Sequence, residues 1–246
     1  MKKTLYPFLF FLTLLGCENG MKLTFGQKAF SNSPCQTCPK IEITVPEALD
    51  VSKLSKTVNG AVREEIISLL SFEDEVELNS IERAIDSFTS DFAKLKEKFQ
   101  DEVPWEAKIE GELVYEDENM LTLSINSYIF TGGAHGYRST SFLNFDKIKA
   151  EELENWELFE DEEGFMQFVE AKFRVREKIP QDENINATGF MFDNDAFHLS
   201  QNIGYTPEGL QLIYNPYEVA SYADGPIVMT IPYAEINTFL KRAASL

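Results

Sequence analysis

Few residues in this chain could do chemistry beyond packing. His135 stands in Thr131-Gly132-Gly133-Ala134-His135-Gly136, and an imidazole among glycines can move protons near neutral pH or bind a metal. General-base catalysis also needs a nucleophile in reach, and no Gly-x-Ser-x-Gly run stands nearby. A histidine bonded to the backbone of its own turn is therefore the more economical reading. Asp146 and Asp224 suit the Asp role of accepting hydrogen bonds from a following turn. Asp193-Asn194-Asp195 offers oxygen ligands but lacks the spacing and closing Glu of a calcium loop. Tyr214, Tyr217, Tyr222 and Tyr233 crowd the C-terminal region beside the acids Glu218 and Asp224. Such rings either stack on sugars and anchor protein partners, or bury their faces and bond backbone through the hydroxyl. His135, Tyr217, Glu218, Tyr222 and Asp224 are accordingly the candidate ligand-binding residues. No catalytic residue, metal site or cofactor is assigned, and the chain is read as non-enzymatic.

The three cysteines divide into one and two. Lys2 and Lys3, an apolar run from Leu5 to Leu15, and Leu14-Leu15-Gly16-Cys17 have the layout of a secretory leader, residues 1–16, whose apolar part is about half of the ~20 residues a membrane span needs. The Leu-x-Gly-Cys ending resembles a bacterial lipobox, which implies lipidation of Cys17 by several acyl chains and durable attachment to a membrane. The competing reading is an ordinary secreted protein with a chance cysteine. Cys35 and Cys38 are separated by two residues among prolines, and outside the cytoplasm such a pair is expected to be oxidised rather than catalytic. Zinc is disfavoured, because a closed site wants four ligands and the two histidines, His135 and His198, are remote in sequence.

Charge narrows the partners. The formal net charge is −19, becoming −21 once Lys2 and Lys3 leave with the leader. Nucleic acid is excluded as a partner on that balance, whereas cationic proteins, cationic glycans and divalent ions would be attracted. The acidity also serves plain solubility.

Periodicity supplies the elements that must position these residues. Residues 17–40 lack a pattern and read as a tether. Ile41, Ile43 and Val45 alternate in a short strand closed by Pro46. Val51, Leu54, Val58, Val62, Ile66 and Leu69 step by three and four, which predicts a helix with Asp50 as its N-cap. Ile81, Ile85, Phe88, Phe92, Leu95 and Phe99 predict a second helix behind Ser80. Period-two patterns follow in 109–115 and 121–125, joined across Glu116-Asp117-Glu118-Asn119 as a hairpin, and then Tyr137–Phe145 returns beyond the glycine loop. A third helix carries Phe165, Phe168, Val169 and Phe173. Strands are expected over 197–205, 210–214 and 227–231, with a last helix from Pro232-Tyr233. The expected fold class is α+β, an antiparallel sheet with amphipathic helices packed on it, arranged as an N-terminal helical lobe (41–115) and a C-terminal sheet lobe (116–246).

Three stretches in order carry a family likeness: Tyr128-Ile-Phe-Thr-Gly-Gly-Ala-His-Gly-Tyr137; Leu143-Asn-Phe-Asp146 with Leu158-Phe159; and Gly209-Leu-Gln-Leu-Ile-Tyr-Asn-Pro-Tyr-Glu-Val219 with Tyr222-Ala-Asp-Gly225 and Ile231-Pro-Tyr233. Together they resemble the extracytoplasmic PdaC/RsiV-like domain over roughly 41–243. In that family the domain accompanies a peptidoglycan deacetylase or forms the lysozyme-binding outer part of an anti-sigma factor. The metal-binding Asp and His residues of a deacetylase domain and an anti-sigma segment have no counterpart in this sequence, so neither activity is carried over. The resemblance implies a lipid-anchored cell-envelope module whose ligand is a lysozyme-like cationic protein, or alternatively peptidoglycan or another glycan bound through the Gly132–Gly136 loop and the tyrosines. Glu18 after Cys17 is no Asp retention signal, which favours the outer membrane where there is one.

Overall fold

The computed structural model describes residues 22–32, 35, 37–72 and 78–243; the expected leader and Cys17 lie outside the described residues. Among the described residues nine strands and four α-helices follow one another in the order β1 (Phe25–Ser31), β2 (Lys40–Ala48), α1 (Lys53–Leu70), α2 (Ile81–Lys98), β3 (Glu106–Glu116), β4 (Met120–Phe130), β5 (Tyr137–Asp146), β6 (Glu151–Leu153), α3 (Glu162–Glu177), β7 (Asn202–Thr206), β8 (Gly209–Tyr214), β9 (Ile227–Ile231) and the single turn α4 (Tyr233–Ile236). The first six strands form one sheet in sequence order and the last three another. The fold is α+β, with helices packed against a sheet. All neighbours are antiparallel except β2 and β3, whose parallel pairing requires the long α1–α2 crossover between them.

The first sheet begins earlier than the pattern suggested. Phe25–Ser31 lies in the stretch expected to be tether, yet it pairs along the whole of β2, from Phe25↔Ala48 to Ser31↔Glu42. Its side chains are half-buried at best, as befits an edge strand, so no strong alternation marks it in sequence. β2 also runs on through Pro46, which sits opposite Gln27 on the β1 side. Cys35 and Cys38 are bridged in the connection between these strands, with Cα atoms 5.4 Å apart.

The N-cap of α1 is Ser52 rather than Asp50: the Ser52 Oγ accepts the Ser55 N–H at 3.0 Å. Asp50 is drawn instead to the incoming chain, where its carboxylate accepts the Thr24 N–H at 2.6 Å. Val51, counted in the apolar stripe, is outside the helix and exposed; Leu70 rather than Leu69 closes the buried row. α2 is capped by Ser80 and buries Ile81, Ile85, Phe88 and Phe92, while Phe99 is the exposed C-cap. Both helices cover the sheet face that carries Ile41, Ile43, Ile109, Leu121, Leu123 and Ile125, making one core from both sides of the 115/116 division.

β4 is buried on its other face too. Met120 joins a second core with α3 and the β7–β9 sheet, and Thr122 and Ser124 are covered as well. The Thr122 hydroxyl donates to Asn144 Oδ1 at 2.8 Å, and the Asn144 amide passes the connection on to the Ile203 carbonyl at 2.7 Å. At Gly204 a Cβ would overlap the Phe142 ring, so this glycine is what lets β7 cross so near β5.

Candidate functional site

The β4–β5 hairpin ends in the glycine loop, and the loop after β8 folds back against it. Gly132 and Gly133 take positive φ, +97° and +83°, which ordinary residues adopt at a cost, and a Cβ on Gly136 would run into the Tyr128 ring. The loop thereby lies flat and turns His135 outward. From the other side, Asn215 clamps the hairpin: its Oδ1 accepts the Thr140 N–H at 2.9 Å and its Nδ2 donates to the Thr140 carbonyl at 3.1 Å. The Tyr137 hydroxyl donates to the Pro216 carbonyl at 3.2 Å, and the Tyr222 hydroxyl to the Gly136 carbonyl at 2.9 Å.

These bonds bring the aromatic candidates into one column. The His135 and Tyr222 rings stack with centroids 3.8 Å apart and planes 16° from parallel. Tyr217 lies against Tyr222 at 5.6 Å and leaves 57 % of its surface open. Its backbone is left-handed, φ +73°, an unfavourable conformation for an aromatic residue and one met at binding sites where the surroundings enforce it. The Tyr217 N–H donates to the Ala220 carbonyl at 3.1 Å, and the Glu218 side chain ties the same turn down: Oε2 accepts the Asn215 N–H at 2.8 Å and Oε1 the Gln201 N–H at 3.1 Å. Burial pushes the Tyr137 hydroxyl above its usual pKa, and the Glu218 charge adds to that, so Tyr137 stays a neutral donor.

The sequence-named residues thus divide. His135, Tyr217 and Tyr222 form the exposed column, and Glu218 stands behind it as a brace. Asp224 braces a neighbouring turn, accepting the Ser221 hydroxyl at 2.6 Å and its N–H at 3.2 Å. Tyr214 and Tyr233 are core residues, with hydroxyls on the His198 carbonyl and on Thr206. His198 packs on Phe192 and Tyr214, apart from the column. Asp146 accepts the Ile148 and Lys149 amides after β5, and Asp195 accepts the Asn186 side chain. Among the described residues no group of three or more His, Cys, Asp or Glu gathers that could hold a metal. Sequence reasoning does not reach Asn215, Tyr137 and Gln201, because nothing local to Asn215 marks a clamp on a strand 75 residues away.

His135 spends one ring face on Tyr222 and approaches the Gly136 carbonyl with Nδ1 at 3.1 Å. That geometry leaves the imidazole exposed at the surface. It offers flat apolar faces rimmed by polar atoms, the composition of an interaction hot spot or a sugar-stacking platform.

Comparison with known families places the two halves. Residues 35–138 match the family described as Deacetylase PdaC, and residues 144–234 match the family described as Protein of unknown function (DUF3298). The first segment of the chain is thus similar to the PdaC family and the second to DUF3298. The resemblance read from the glycine and tyrosine motifs is therefore shown, and the aromatic column straddles the two matches: His135 lies in the segment similar to PdaC, Tyr217 and Tyr222 in the segment similar to DUF3298. Two crystal structures of DUF3298 family proteins have the same fold. One, from Bacteroides fragilis, is 20 % identical with a TM-score of 0.66, over 90 % of this chain and 95 % of that one. The other, from Pseudomonas aeruginosa, is 19 % identical with a TM-score of 0.61, over 90 % and 94 %. A search of curated proteins found no match. The paired PdaC-like and DUF3298 domains suggest an extracytoplasmic accessory domain, and no helix among the described residues is long and apolar enough to cross a membrane.

Proposed function

We propose that the PdaC-like and DUF3298 domains together form a lipid-anchored, non-enzymatic binding module of the cell envelope, and that its ligand is a cationic wall-lytic protein such as lysozyme. The observation that carries the reading is the exposed Tyr217 ring, at positive φ in a turn that the Glu218 side chain ties down, and backed by the Tyr222–His135 stack. A rigid, half-open aromatic anchor loses little entropy when a partner covers it. The net charge of −19 supplies long-range attraction for a basic partner. Calorimetric titration of the chain with lysozyme tests this. Binding at micromolar Kd or tighter that weakens steeply with salt is the expected result, with Tyr217→Ala abolishing it and leaving the fold intact. Salt-independent binding would remove the charge from the account.

The stacked His135–Tyr222 faces favour a second reading, a wall-glycan site, since parallel rings with polar edges suit pyranose stacking. Muropeptide binding that is lost in His135→Ala, together with no lysozyme binding at either salt, would select it.

A further inference from the structure

The strand register sorts the molecule into two ends. Phe25 pairs with Ala48 at the start of β1; β2 runs parallel to β3, Glu116 faces Leu121, and Met120 faces Asp146. The point where the chain arrives from residues 1–21, the β3–β4 turn and the end of β5 therefore share one end of the sheet. The Gly132–Gly136 loop, with the aromatic column, occupies the other. Ten β5 residues separate the ends, about 30 Å at the rise of a strand.

The arriving end carries an unusual surface. Leu49 is 56 % exposed, Val51 100 % and Ile148 64 %. Leu49 packs over Gly26 and its N–H donates to the Thr24 carbonyl at 2.9 Å, so it stands beside the arriving chain. Lys53 joins the other two, because its ammonium donates to the Lys149 carbonyl at 2.9 Å, one residue from Ile148 and two from Val51. Lys22, Lys53 and Lys149 are exposed here in a chain that is otherwise strongly acidic. Of the nearby acids, Asp146 is buried against Arg242 and Glu116 pairs with buried Lys147, while Asp50 is exposed and accepts the Thr24 N–H, and Glu151 is exposed and paired with Lys53 at 3.2 Å. Glu118, exposed in the β3–β4 turn, is a countercharge. Apolar side chains ringed by lysines match the chemistry of a bilayer surface, with acyl boundary for the first and head-group phosphates for the second.

The tether leaves little choice of orientation. The fold begins at Leu23, which is buried, and six peptide steps separate it from Cys17, at most about 20 Å of extended chain. We infer that this end of the sheet, Leu49, Val51 and Ile148 with Lys22, Lys53 and Lys149, rests on the membrane and holds the aromatic column about 30 Å outward. The inference rests on the reading of Cys17 as the anchor, and the test separates the two. The chain is mixed with vesicles of phosphatidylethanolamine and phosphatidylglycerol containing brominated acyl chains, carrying one fluorophore on Val51→Cys, Ile148→Cys or Ala134→Cys. Flotation reads attachment and quenching reads depth. Labels at 51 and 148 are expected to be quenched several-fold more than one at 134, which sits in the distal loop, and Cys17→Ser is expected not to float. Equal quenching at all three, or none while the chain floats, overturns the bilayer and leaves a free domain or a protein-covered face. If Cys17→Ser floats as well as the parent, the anchor reading fails, while the same labels in that variant still decide which end faces lipid. Failure of the parent itself to float overturns both.

Discussion

The two cores of this molecule are built from different materials. Beneath α1 and α2 the side chains are chiefly aliphatic, Ile41, Ile43, Leu54, Val58, Ile66, Leu121 and Leu123, with an aromatic group of Phe88, Phe92 and Trp105 and, apart from it, Phe145. Beneath α3 and β7–β9 the core is richer in aromatic rings, among them Phe165, Phe173, Phe192, Tyr205, Tyr214 and Tyr233, interleaved with aliphatic side chains such as Leu210, Leu212 and Ile236. Its tyrosine hydroxyls reach carbonyls of distant segments: Tyr205 the Arg242 carbonyl, Tyr214 that of His198, Tyr233 that of Thr206. Burial pushes all three phenols above their usual pKa, so they remain neutral donors. Aliphatic packing is tolerant of small rearrangement, whereas each bonded hydroxyl fixes one ring against one backbone group. The half that must present a strained surface loop is the half with the pinned core.

The largest expected effect asks whether the cores stand or fall together. Phe88→Ala and Phe173→Ala each empty a fully buried site and should cost about 3–5 kcal/mol. Shared burial of β4 predicts that either lowers a single transition seen alike by near-ultraviolet and far-ultraviolet dichroism; two separated transitions would show independent cores.

Next comes the strap between them. Asp146 is 3 % exposed in its side chain; burial alone would raise its pKa, but the Lys149 amide, the Arg242 guanidinium at 3.0 Å and the Ile148 amide outweigh it and hold the carboxyl below the usual range. A lowered folded pKa stabilises above the unfolded value near ~3.9 and is lost as pH falls through the folded one. Arg242→Ala should cost about 1.5–3 kcal/mol at neutral pH. It should also move the acid-unfolding midpoint to higher pH, and an unchanged midpoint would deny Asp146 this role.

A single oxygen separates the two kinds of core most sharply. Tyr233→Phe leaves the Thr206 N–H and carbonyl, both buried, without the hydroxyl they share, at about 1–3 kcal/mol in urea unfolding. A cost near zero would mean that the pinned core is held by packing alone, like the other. The smallest effect has the opposite sign. Tyr217→Gly relieves the left-handed backbone while removing little packing, and should stabilise by about 1 kcal/mol as binding is lost. Stabilisation with binding retained would detach Tyr217 from the ligand.

Local pattern carried most elements. α2 announced itself through spacing and its Ser80 cap, α3 through spacing, and the β3–β4 hairpin through alternation around an acidic turn. β1 was illegible because an edge strand with half-exposed residues need not alternate. Thr122 and Ser124 show the same limit: polar residues alternating with Leu suggest a wet face, yet the second sheet covers them. Val51 fits a helical stripe only until Ser52 takes the cap and leaves it outside.

By itself, then, the sequence determined the α+β class, the family likeness, the acidity and a short roster of surface candidates, because each depends on residue type and on neighbours a few positions away. Tertiary structure alone decided which tyrosines are core and which are surface, that Glu218 accepts the Asn215 and Gln201 amides, and that His135 meets Tyr222 across 87 positions of chain. Those outcomes depend on hydrogen bonds between distant segments, Asn215 to Thr140 and Tyr222 to Gly136, which exist only once two sheets have packed.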